Sequence, residues 1–174
     1  MKCQLFPFQS IAVNNLRMRA DNALASYRQY HIPQVISLQA PTGAGKTIIM
    51  SAFIEAVYNG TDKFLPQPNA IFVWLSDSPS LNEQSKLKIE TKADRIQLGQ
   101  CITIEDETFD QQELDDGYIY FLNTQKLSIS GNLSKKSDNR QYTIWETIQN
   151  TLIEKFDRLY FVIDEAHRGT LGTE

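Results

Sequence analysis

The sequence predicts an α/β fold built on a mostly parallel sheet, and three observations carry that expectation. Short apolar runs at residues 35–40, 70–76, 117–123 and 159–164 alternate with segments of helical periodicity. The runs are apolar throughout, the mark of strands covered on both faces. The helical segments between them supply the long crossovers that parallel neighbours require.

Taken in order, residues 8–27 carry Ala12, Leu16, Ala20, Leu24 and Tyr27 near helical spacing, behind Pro7, whose fixed φ suits a first helical turn. His31, Ile32 and Pro33 interrupt that helix, and VISLQA (35–40) reads as the first strand. From Lys46 an apolar stripe of Ile48, Ile49, Ala52, Phe53, Ala56 and Val57 runs to a stop at Asn59-Gly60. AIFVWLS (70–76) is the next buried-type strand, and Pro79 opens a helix through residue 92. CITIE (101–105) reads as a short strand and GYIYFLN (117–123) as a clearer one. Trp145, Ile148, Leu152 and Phe156 space an amphipathic helix, and LYFVID (159–164) completes the pattern.

The 174 residues suit one domain, large enough to build a core without disulfide or metal staples. Hydrophobic residues make up 41% and charged residues 22%, which excludes an intrinsically disordered chain. No apolar run approaches the ~20 residues of a membrane span, and the N-terminus lacks the pattern of a signal peptide. Two cysteines, Cys3 and Cys101, offer neither a disulfide framework nor zinc spacing, which suits a reducing cytoplasm. The net charge of −4 weighs at first against a nucleic-acid partner, since phosphate binding needs clustered Lys and Arg. Residues 105–116 alone hold seven carboxylates and no Lys or Arg, and setting them aside turns the net charge from −4 to +3. That run lacks calcium-loop spacing and is expected to be a solvated loop. Residues 131–141, with Lys135, Lys136 and Arg140, read either as a loop beside a DNA strand or as a flexible insertion.

Two motifs carry chemistry. Ala40-Pro41-Thr42-Gly43-Ala44-Gly45-Lys46-Thr47 lies between an expected strand and an expected helix. Glycines there let backbone amides approach a phosphate, and the helix start adds partial positive charge. Lys46 would reach the β- and γ-phosphates, and the Thr47 hydroxyl would bind Mg²⁺. Ala40 stands where the generic pattern has its first glycine. A plain strand-to-helix turn is the bland alternative, but a lysine at a helix start opposes the helix dipole unless an anion compensates it. Asp164-Glu165-Ala166-His167 follows the last apolar run, at the sheet edge where open α/β folds bind ligands. Asp164 can hold Mg²⁺ through water, and Glu165 can polarise an attacking water.

Together APTGAGKT and DEAHRG resemble the first motor domain of a superfamily 2 helicase or translocase, most closely the ATPase subunit of type III restriction enzymes. FPFQ (6–9), WLSDSPSLNEQS (74–85) and YFLNTQKLS (120–128) extend the resemblance over nearly the whole chain. It implies a RecA-like P-loop NTPase, a three-layer sandwich with helices on both faces of the sheet, with ATP and Mg²⁺ as cofactors. It also implies that Gln9 reads the adenine edge beside Phe6 or Phe8, and that Thr42, Gly43, Ala44, Gly45, Lys46 and Thr47 cradle the phosphates. Ser76 through Gln84 and Asn123-Thr124-Gln125 would touch a nucleic-acid backbone, and His167 would couple the nucleotide site to it. The implied partners are duplex DNA, a second motor domain and a methyltransferase subunit. The chain ends ten residues after Asp164, so the expectation is a first motor half, incomplete at its C-terminus, without the second domain's arginines or a nuclease domain. Such a half would bind Mg·ATP and hydrolyse it weakly; a catalytically silent nucleotide- or partner-binding module is the alternative.

Overall fold

Among the described residues four strands, β1 (Ile71–Ser76), β2 (Cys101–Thr103), β3 (Ile119–Asn123) and β4 (Leu159–Ile163), pair in the order β2-β3-β1-β4, every neighbour parallel. Among the described residues four α-helices accompany them: α1 (Pro7–Tyr30), α2 (Lys46–Asn59), α3 (Pro79–Lys92) and α4 (Ile144–Glu154). The computed structural model describes residues 1–128 and 131–164. The expected α/β class with a parallel sheet is the one observed. The chain forms two compact units, one of Met1–Asn69 with Leu87–Leu98, the other of Ala70–Lys86 with the described residues from Gly99 onward.

In the first unit, α1 runs three residues beyond its expected end, to a left-handed cap at His31 whose N–H bonds Tyr27 O at 2.8 Å. Val13, Leu16, Ala20 and Leu24 bury one face of α1, and Ile49, Ala52, Phe53 and Val57 are buried on α2. Arg17 lies inside this unit at 1% exposure. Its guanidinium donates to Leu65 O (2.8 Å) and Ala56 O (3.4 Å), pairs with Asp21 and sits 5.0 Å over the Phe64 ring. The carboxylate of Glu55 accepts from the backbone N–H groups of Asp94 and Arg95 and pairs with the terminal ammonium of Met1 at 2.7 Å.

The expected strand at 35–40 is not formed. Residues 31–40 carry no regular pairing, and Val35 is 92% exposed. An apolar run becomes a strand only where a neighbour takes its backbone hydrogen bonds. All four strands belong to the second unit, and in the first no strand is present among the described residues.

The second unit is organised by β1, paired with β3 on one side and β4 on the other. Ile71, Val73, Tyr120 and Leu122 point into a core with Ile104, Phe109, Leu114, Leu133 and Ile144. Phe72, Trp74, Ile119 and Phe121 bury the opposite face, with Trp74 and Phe121 stacked 5.9 Å apart. The expectation of strands covered on both faces holds for β1 and β3. It fails at β4, a sheet edge where Phe161 and Ile163 are exposed.

Helix α4 forms behind a Thr143–Glu146 capping box, but of its expected apolar stripe only Ile148 packs against the core. Trp145, Leu152 and Phe156 are exposed, whereas Ile144, Thr147 and Thr151 are buried. The reason is hydrogen bonding: Thr147 Oγ1 donates to Gln111 O, and Thr151 Oγ1 accepts from Leu114 N at 2.8 Å. The run 105–116 takes these partners: seven of its residues are exposed, as expected of a solvated loop, but it is anchored at several points. Phe109 and Leu114 are buried, Lys126 pairs with Glu105 and Asp106, and Lys155 and Arg158 pair with Asp116. Asp110 accepts from the N–H groups of Gln141 and Tyr142, which with the Arg140 charge hold its carboxyl below the ordinary 3.8. Glu146 is held below its ordinary 4.5 by Lys136 and the Thr143 N–H. Residues 131–141 are anchored as well. Leu133 is fully buried, and buried Arg140 donates to the carbonyls of Asp106, Phe109 and Asn132.

Replacing Arg17 by Met strands two carbonyl groups, and urea denaturation should record a loss of about 1–3 kcal/mol. Carboxyls with depressed folded-state pKa values stabilise above their unfolded values and lose that effect as pH falls through the folded ones. Asp110→Asn should therefore lower stability at neutral pH and flatten its decline below about pH 4, read by circular dichroism. An acid limb identical to the parent's would contradict this.

Candidate functional site

The loop before α2 is shaped by its glycines. Gly43 and Gly45 adopt φ of +84° and +80°, a left-handed conformation that costs other residues roughly 1–2 kcal/mol. A Cβ on Gly43 would meet nothing within 4 Å, whereas one on Gly45 would lie 2.8 Å from Gln9 Nε2. The turn closes through Ala44 N to Pro41 O at 3.1 Å, and the first helical bond runs from Ile49 N to Gly45 O. The N–H groups of Lys46, Thr47 and Ile48 therefore precede the helical ladder, an open arc of donors at a positive dipole end. Lys46 and Thr47 are half-buried, and Thr42 and Gly43 exposed. The Lys46 ammonium donates to Ala40 O at 3.3 Å, bending over its own loop. Such a loop fits a polyphosphate: it offers donors, a cation and open space at Gly43.

Gln9, expected at the base, is 6% exposed, with both ends of its amide engaged. Its Oε1 accepts from Phe6 N at 3.0 Å and its Nε2 donates to Ala44 O at 3.0 Å. In this structure it clamps the loop to the start of α1. Phe6 and Phe8 stack beside it at 6.0 Å, both largely exposed.

The second set of residues gathers at the carboxyl edge of the sheet. Ser76 and Asn123 are register partners at the ends of β1 and β3, and Asp164 N donates to Leu75 O at 2.9 Å just past β4. Three parallel strands thus deliver Asn123, Ser76 and Asp164 side by side. Ser76 and Asn123 are buried and turned to local work. Ser76 Oγ donates to Ser78 O at 2.9 Å, and Asn123 Oδ1 accepts from Gln125 N at 2.7 Å, capping the 3-10 turn Thr124–Leu127. Thr124, Gln125 and Gln84 are exposed. Gln125 Nε2 reaches Asp77 O at 3.4 Å, linking the two segments. Glu165 and His167 lie outside the described residues. Of the cations expected near a DNA strand, Arg140 is committed to carbonyls and Lys136 pairs with Glu146 at 2.7 Å. Lys126, which sequence reading passed over, is engaged beside this edge; the one clue to it was a carboxylate run that needs counter-charges.

A glycine-built loop opening a helix, and a parallel sheet with polar residues at its carboxyl edge, are features that nucleotide-binding α/β proteins share. The family model for the type III restriction enzyme, res subunit, matches residues 2–173, and the chain belongs to that family. No curated protein and no solved structure matches the chain. The family is that of the ATP-binding, helicase-like motor of restriction enzymes, which acts on DNA with a modification subunit. Among the described residues no helix is long and apolar enough to cross a membrane.

Gly45→Ala should destabilise the first unit by about 1–2 kcal/mol in urea titrations, since it adds a strained φ and displaces the Gln9 amide. Gly43→Ala should cost only the backbone strain, and equal costs in the two variants would speak against the Gln9 clamp.

Proposed function

We propose that this chain is the ATP-binding half of a DNA-translocating motor. The observation that carries the reading is the loop at residues 40–47, with its two left-handed glycines and three helix-start amides outside the helical ladder. Thr42 through Thr47 cradle the phosphates, and Lys46 exchanges its bond to Ala40 O for phosphate oxygens. Thr47 and Asp164 each offer an oxygen that would suit Mg²⁺, a hard cation. When bound, the metal supplies charge stabilisation to the phosphates. Glu165 orients the attacking water, and His167 transmits the state of the nucleotide. Gln9 reads the base by giving up one of its two backbone bonds, with Phe6 or Phe8 packed against the ring.

DNA is held through its backbone, by Thr124, Gln125 and Gln84, with Ser76 and Asn123 shaping the turns that present them. Phosphate contacts of this kind fix register without reading sequence, as suits a motor that tracks along a duplex. A second motor domain and a methyltransferase subunit are its partners.

Lys46→Ala should weaken Mg·ATP binding by about tenfold or more, the loss of a charge-assisted bond worth about 1.5–3 kcal/mol, with an unchanged circular dichroism spectrum. Unaltered affinity in calorimetric titration would sink the phosphate assignment. Turnover titrated against duplex DNA separates a motor from a silent module, which would bind nucleotide without DNA-stimulated hydrolysis.

A further inference from the structure

We propose that Lys126 is a positioning residue that straps the 3-10 turn Thr124–Leu127 to residues 104–106, and thereby sets Gln125 for the DNA backbone. The inference rests on the reading of this sheet edge as a DNA track. A lysine directly after the expected contact segment invites the simpler view that it binds phosphate itself. Its geometry speaks otherwise. An ammonium has three N–H donors. One goes to Ile104 O at 3.1 Å, one to Glu105 Oε2 at 2.8 Å, and Asp106 Oδ1 forms a 3.2 Å ion pair on a third side. Burial works against the charge, but the two carboxylates outweigh it and hold the pKa above the ordinary lysine value. The cation stays charged, with two of its donors engaged by the protein and its third side faced by the Asp106 carboxylate.

The turn needs such a strap. None of its residues is fully buried, and only Leu127 leans on the core. Among the described residues its other side-chain tethers include the Asn123 cap at one end and the 3.4 Å bond from Gln125 Nε2 to Asp77 O. Lys126 supplies a further anchor and ties the turn to the chain just beyond β2. It also neutralises carboxylates that would repel a polyanion beside the track.

The test uses a fluorescein-labelled random-sequence duplex, with anisotropy measured over a range of salt concentrations. Glu105→Gln/Asp106→Asn removes two negative charges and leaves Lys126 in place, so charge alone predicts tighter binding. Positioning predicts the opposite: affinity about three- to tenfold weaker, with the slope of log K against log salt unchanged. Tighter binding, or a slope steeper by about one, would show a released phosphate ligand and overturn the proposal, as would unchanged affinity. In a double-mutant cycle, Lys126→Met should weaken binding in the parent and cost little more in a Gln125→Ala background. Full additivity would overturn the proposal as well. A parent chain that shows no salt-dependent duplex binding would remove the DNA-track reading itself, a failure visible before any variant is made.

Discussion

Strand β1 is hydrogen-bonded along both edges, and the carboxyl edge of the sheet takes its geometry from that double ladder. Pairing of Ser76 with Asn123 on one side, and of Leu75 with Ile163 on the other, fixes where three chain segments leave the sheet. A slip of one residue would turn Ser76 and Asn123 to the other face, away from the row of Trp74 and Phe121. The buried apolar side chains of β1 and β3 make such a slip costly, since every one of them would change faces together. The polar turns at the edge are thus positioned by apolar packing several residues away.

Charge in this chain is arranged locally. Four of the seven carboxylates of residues 105–116 pair with Lys126, Lys155 and Arg158, and Asp110 is spent on backbone amides. Setting aside both that run and its three cations takes the net charge from −4 to 0, not to +3. The low isoelectric point reports a self-contained structural device. It supplies no basic field for long-range attraction of DNA, so any grip on a duplex rests on short contacts at the sheet edge.

Much of this was legible in the sequence where the determinants are local. The stop of α2 at Asn59-Gly60, the start of α3 at Pro79 and the apolar cores of β1 and β3 follow from neighbouring residues. The glycine loop was legible for the same reason, since its conformation is written into Gly43 and Gly45. Features that depend on distant partners were not. Residues 35–40 have strand composition but no strand beside them. The outward turn of α4 is decided by backbone groups of residues 111–114 that need its threonines. The pairs that tame the acidic run join residues 21 and 42 positions apart, as in Lys126–Glu105 and Arg158–Asp116, and no periodicity announces them. Of the candidate site residues, Lys46 opens a helix and Ser76 and Asn123 end strands as the sequence suggests, but the strand expected before the loop is absent, and the burial of Ser76 and Asn123 and the engagement of Gln9 emerge only from packing.

Both tryptophans of the chain belong to the sheet-bearing unit: Trp74 is buried in β1 against Phe121, and Trp145 lies half-exposed on α4, its indole N–H donating to Ser134. The helical unit with the glycine loop has none. Intrinsic indole fluorescence is therefore a private reporter, with a shielded emitter at the centre of the sheet and a wetter one on its flank. Comparison of its melting curve with the helical signal distinguishes joint unfolding of the two units from separate unfolding.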